Sequence, residues 1–148
     1  MILSRPDPRP APDSPPSASV LFVEDEVLIR AAVAEYLRRL GYMVVEAADA
    51  TEAMAVFSCG EPIDVVLCDV DLPGTMDGLS LARWINRRRS APPVLLTSGR
   101  GVGLYAGKIP AGSFIPKPYH LGALVKRLEL MLASRDRADD DIAEPEPR

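Results

Sequence analysis

Short apolar runs alternate with stretches of helical spacing along most of this chain, and that alternation limits the folds open to it. Val20–Val23, Met43–Ala47, Ile63–Cys68, Val94–Thr97 and Phe114–Ile115 read as strands. Between the first two runs, residues 26–40 (EVLIRAAVAEYLRRL) carry apolar side chains at 28, 29, 32, 33, 36, 37 and 40. That is helix spacing, and Gly41 stands where a helix C′ residue belongs. Asp49 with Glu52 forms a capping-box pattern that opens a helix to about Ser58. Leu79–Arg87 predicts a third helix. Leu121–Ala133 predicts a last one, with Leu121, Leu124, Val125, Leu128 and Leu132 on one face. Strands joined through helices argue for an α/β fold, a parallel sheet with helices on both faces. The strands are nearly continuous apolar runs, as burial on both faces requires. In such sheets chemistry collects beyond the carboxyl ends of the strands.

A chain of 148 residues holds one domain with a proper core. Six of the first 16 residues are proline, so 1–17 is expected to be a disordered arm. Residues 134–148 carry Asp139, Asp140, Asp141, Glu144 and Glu146 against three arginines, and are expected to be a disordered polar tail. The folded domain is then 18–133. A net charge of −4 provides no basic surface for nucleic acid. No apolar run approaches a membrane span, and the N-terminus lacks the apolar stretch of a signal peptide, so a cytoplasmic location is expected. Cys59 and Cys68 lack CxxC spacing and read as reduced packing residues. The single histidine, His120, reads as a surface or capping residue at a helix start. Trp84 reads as half-buried packing, and Arg87-Arg88-Arg89 as a solvated helix end.

The residues that close the strands are unusual as a set. Strand one ends in Glu24-Asp25, strand three in Asp69 with Asp71 two positions on, and strand four in Thr97-Ser98; Lys117 follows strand five. Clustered carboxylates repel one another and need a cation. Ligands that are all oxygen, with no His or Cys, point to a hard ion such as Mg²⁺, which leaves room for a phosphate oxygen. A lysine, a hydroxyl and a carboxylate nucleophile complete the set for an aspartyl-phosphate. Two other readings compete. The run VVLCDVDLPGTMDG also fits the opening hhhhDxDx(T/V) pattern of haloacid-dehalogenase-type, Mg-dependent phosphatases, which would use Asp69 and Asp71. Those enzymes need a second acidic cluster downstream, whereas here the acids lie upstream at 24–26. A flavodoxin-like cofactor binder would want a Ser/Thr/Gly-rich phosphate loop after strand one, where this chain has acids.

Four motifs in order, VLFVEDE, VVLCDVDLPGTMDG, VLLTSG and FIPKPY, resemble the receiver domain of two-component response regulators (the CheY-like family). The resemblance implies a flavodoxin-like three-layer sandwich with a five-stranded parallel sheet of order 2-1-3-4-5. It places the phosphoacceptor on Asp69 and the metal acids on Glu24 and Asp25. Asp71 would offer its main-chain carbonyl to Mg²⁺. Thr97 falls on the switch hydroxyl, Phe114 on the switch aromatic and Lys117 on the phosphate-binding lysine, with a cis Lys117-Pro118 bond. This sequence departs from the family in two places. The turn after Asp69 has one extra residue at Gly74-Thr75. In 98–113 five of the ten glycines and Pro110 fall where the family has a fourth helix. At about 1 kcal/mol per helical glycine, that helix is expected to be short or irregular.

These residues imply a response regulator with no attached output domain, since only about 15 polar residues follow the last predicted helix. A phosphohistidine on a histidine kinase or phosphotransfer protein would supply the phosphoryl group, and a downstream effector protein would read the result. A shuttle or sink that docks no effector is the alternative output. The chain is expected to act as a signalling protein that assists only its own phosphorylation and dephosphorylation.

Overall fold

The computed structural model describes residues 18–105, 107–110 and 112–142. Five strands, β1 (Ser19–Val23), β2 (Met43–Ala47), β3 (Val65–Asp69), β4 (Val94–Ser98) and β5 (Phe114–Pro116), pair in parallel in the order β2-β1-β3-β4-β5. Among the described residues four α-helices complete the fold: α1 (Val27–Arg39), α2 (Ala50–Ser58), α3 (Gly78–Asn86) and α4 (Leu121–Ile142). The three central strands are fully buried, which explains their unbroken apolar sequence. Successive side chains of β1 enter opposite layers. Leu21 and Val23 pack with α2 and α3, while Val20 and Phe22 pack with α1 and α4. The result is a three-layer sandwich with two separate cores.

Local chemistry sets the element ends. α1 stops in a Schellman motif, in which the Gly41 and Tyr42 N–H groups donate to the Arg38 and Leu37 carbonyls. Gly41 has φ +98°, a backbone that glycine adopts without strain. Asp49 accepts from the Glu52 N–H at 2.8 Å as the predicted N-cap, while Glu52 reaches back one residue further than a capping box requires, to the Ala48 N–H at 2.7 Å. Among the described residues, the glycine-rich stretch between β4 and β5 forms a single 3-10 turn, Val102–Tyr105, and no α-helix. Trp84 is half-buried and meets Phe57 edge-on at 5.9 Å, and Arg88 lies over both rings.

Three expectations need correction, and a fourth falls outside the described residues. The polar tail expected from Ser134 begins as helix, because α4 runs on to Ile142. Arg135 explains the extension: its guanidinium donates to the Ile63 and Asp64 carbonyls at 3.1 and 2.7 Å and ties the helix to the loop before β3. β3 starts at Val65 instead of Ile63, since Ile63 is buried as a core side chain ahead of the ladder. Cys59 is exposed and only Cys68 packs inside. The arm at 1–17 and residues 143–148 of the tail lie outside the described residues.

Cys68 is fully buried and its Sγ–H donates to the Asp69 carbonyl at 3.2 Å. Burial pushes its thiol well above the usual range, and the Asp69, Glu24 and Asp77 carboxylates add to the shift. A thiol reagent is therefore expected to modify Cys59 in the native protein and Cys68 only after denaturation. Mass analysis of the labelled peptides checks this, and native labelling of Cys68 would contradict the packing described.

Candidate functional site

Parallel strands that end at one edge gather their closing residues. β1 and β3 are neighbours, so Glu24 and Asp25 come up beside Asp69, the last residue of β3. Carboxylate oxygens of Glu24, Asp25 and Asp69 all lie within 4.8 Å of one another. Lys117 arrives from the end of β5, positioned by its N–H donating to the Ser98 carbonyl at 3.0 Å. Its ammonium donates to Glu24 Oε2 and to Asp69 Oδ2, each at 2.8 Å. The Lys117-Pro118 bond is cis.

Burial and charge compete here. Glu24 is fully buried, and desolvation raises its carboxyl above the usual value; the Lys117 hydrogen bond works against that rise and the Asp69 charge adds to it. For Lys117, burial works to lower the ammonium, but hydrogen bonds to Asp69 and Glu24 outweigh it and the net shift is upward. The site thus contains three acids and one firmly charged lysine. Asp25, the exposed member, faces solvent where an ion could enter.

The neighbouring strand ends supply hydroxyls. Asp69 pairs with Thr97 across the β3–β4 ladder. The Thr97 hydroxyl is buried and has no hydrogen-bond partner among the described residues, an arrangement that costs about 1–3 kcal/mol unless an acceptor arrives. Ser98 is also fully buried, and its hydroxyl donates to Asp71 Oδ2 at 3.1 Å. The Asp71 N–H in turn donates to Asp69 Oδ1 at 2.9 Å. Phe114 is buried, with its ring 6.0 Å from that of Tyr105. The extra residue of the Gly74-Thr75 turn is absorbed by Gly74 at φ +92°, and Asp77 still caps α3 by accepting from the Ser80 N–H at 2.8 Å. His120 is exposed just before the start of α4.

Sequence reasoning missed two supporting residues. Arg30 donates to the Glu24 carbonyl at 2.7 Å and pins the end of β1, a contact with no local signature. Gly78 reads in the sequence as a helix start, but its role is steric. A Cβ there would sit 2.1 Å from the Asp69 carbonyl oxygen and 2.7 Å from the Val70 Cα. Gly78→Ala must therefore push α3 away from the Asp69 strand end. We expect it to lower stability by about 2 kcal/mol, as for an overpacked core position. The readout is the urea midpoint; an unchanged midpoint would mean that the helix start shifts freely.

The profile of the response regulator receiver domain matches residues 20–129. The chain belongs to this family. The receiver is 35% identical over 130 residues to the sensor kinase CckA of Brucella abortus, an alignment covering 85% of this chain and 14% of that protein. It is 38% identical over 117 residues to the transcriptional regulatory protein PdtaR of Mycobacterium tuberculosis, covering 77% of this chain and 56% of the relative. The chain therefore spans about half, or less, of these relatives' length. Among solved structures, the receiver domain of the hybrid histidine kinase CckA aligns with a TM-score of 0.65 at 34% identity, covering 78% of this chain and 99% of that one. A response regulator receiver protein from Sinorhizobium medicae aligns with a TM-score of 0.74 at 22% identity over 80% and 97%, which shows the fold.

Family membership gives the receiver a phosphoryl-accepting signalling role. The dehalogenase reading is not favoured. Among the described residues the acids gathered around Asp69 directly follow β1, upstream, and the Asp71 carboxylate is engaged by Ser98 and Arg100.

Proposed function

We propose that Asp69 is the phosphoacceptor of this receiver and that a phosphohistidine on a histidine kinase or phosphotransfer protein is the donor. The histidine N–P bond breaks, a bond forms between phosphorus and an Asp69 carboxylate oxygen, and the imidazole nitrogen keeps the electron pair. The observation that carries this reading is the Lys117 ammonium held 2.8 Å from Asp69 Oδ2, at the edge of a three-carboxylate cluster. Lys117 would hold a phosphoryl oxygen as a point charge. The Thr97 hydroxyl, without a partner among the described residues, would donate to another, which gives a reason for an otherwise costly buried group.

The donor set fits Mg²⁺: three carboxylates, with no histidine or thiolate, at a partly open edge. Glu24, Asp25, Asp69 and the Asp71 main-chain carbonyl would hold the ion, which when bound neutralises charge on the phosphoryl group. Inward movement of Thr97, followed by Phe114, would alter the outer face of β4 and β5 and a partner's affinity for it. In this reading the receiver catalyses no reaction beyond its own phosphorylation and dephosphorylation.

Transfer from a panel of sensor kinases of the same host, with Mg²⁺ and with EDTA, tests the donor. At least one kinase should label the receiver within its own turnover time, in Mg²⁺ alone. Labelling by none, or equally in EDTA, would overturn the proposal. A pulldown with and without a beryllofluoride mimic tests effector docking, and partner binding that is equal in both forms would count against it.

A further inference from the structure

A chain of hydroxyls links Asp69 to the glycine-rich segment that replaces a regular helix. The Ser98 hydroxyl donates to Asp71 Oδ2 at 3.1 Å, and its oxygen accepts from the Arg100 N–H at 3.1 Å. The Tyr105 hydroxyl stands 3.3 Å from the same Ser98 oxygen. Serine has one proton, and a carboxylate has none to give, so that proton belongs to Asp71. Tyr105 must then be the donor to Ser98. The direction is fixed: Tyr105 O–H to Ser98 O–H to the Asp71 carboxylate, while the Asp71 N–H holds Asp69 Oδ1 at 2.9 Å. Ser98 and Tyr105 are both buried, where such a chain is polarised and strengthened. The Tyr105 ring also leans on Phe114.

We infer that Tyr105, acting through Ser98 and Asp71, couples the state of Asp69 to the turn at 99–105. The inference rests on Asp69 being the phosphoacceptor. A phosphoryl group on Asp69 adds a negative charge to the carboxylate that the Asp71 N–H holds, and the Asp71 side chain's other oxygen lies 3.6 Å from the Arg100 guanidinium. Like charges repel, and Asp71 is half-exposed and free to swing outward toward Arg100. Ser98 loses its acceptor, Tyr105 loses its anchor, and the 3-10 turn loosens. Three glycines at 99, 101 and 103 bring no side chains to anchor that turn.

The test is amide hydrogen exchange of residues 99–105 with and without Mg²⁺ and beryllofluoride, in the whole chain, with fluorine NMR to show that the mimic is bound. In the wild type, exchange should rise about fivefold on binding, the factor that one net hydrogen bond is worth. Tyr105→Phe should bind the mimic, start with the faster exchange and respond less than about twofold. Ser98→Ala, which keeps the Tyr105 ring and hydroxyl, should behave the same way. Mimic-bound wild type with no change at 99–105, or a full response in either variant, overturns the coupling. Absence of a bound fluorine signal in the wild type instead removes the phosphoacceptor reading, and the coupling falls with it.

Discussion

Asp69→Ala is expected to abolish phosphoryl incorporation from any donor, kinase or small acyl phosphate, while the protein stays folded. The other carboxylates are poor substitutes. Glu24 is fully buried and occupied by Lys117, and the Asp71 carboxylate is committed to Ser98. Loss of Asp69 leaves the Lys117–Glu24 pair intact, so no buried charge is stranded. Divalent-ion affinity should fall as well, since one of three clustered acids is gone. Filter-bound label and circular dichroism on the same sample check both halves. Undiminished label in the folded variant would mean that the nucleophile lies elsewhere.

Lys117→Ala should have the other large effect, and it acts twice. Phosphotransfer should slow by about 10²-fold, the scale for removing one preorganised group from a developing charge. Stability should drop by about 3 kcal/mol without a divalent ion, because breaking a buried pair leaves its partner uncompensated. Glu24 is that partner, with no exposure to water. Its carboxyl is already raised by burial, and Lys117 is the main influence holding it down. Without the lysine it rises further. The penalty should therefore shrink as pH falls and Glu24 takes a proton, and Mg²⁺ should stabilise the variant more than the wild type. Thermal unfolding across pH and Mg²⁺ concentration measures both slopes. Equal Mg²⁺ stabilisation of the two proteins would show that the ion and the ammonium do not share the same acids.

The sheet was legible because its strands are covered on both faces and so keep unbroken apolar runs, while α1 and α4 show a repeating apolar stripe. The site was legible for a related reason. Residues far apart in sequence, such as Glu24 and Lys117, are placed by the strand ends they close, and a parallel sheet brings those ends to one edge. Contacts made by long side chains left no such trace. Arg135 reaches back to Asp64 and prolongs α4 through a stretch whose composition reads as tail. Arg30 holds Glu24 from one turn inside α1. Gly78 looks like an ordinary helix start until a Cβ placed there is seen to meet the Asp69 carbonyl. Tyr105 sits among glycines that predict little order, yet it is buried against Phe114 and bonded to Ser98.

Peptide mapping of the receiver after phosphorylation in Mg²⁺ tests the central claim most directly. The account predicts one phosphoryl group per chain, labile to hydroxylamine as an acyl phosphate must be, on the peptide that contains Asp69. A hydroxylamine-stable phosphoryl group, or one mapped to any other residue, would contradict it.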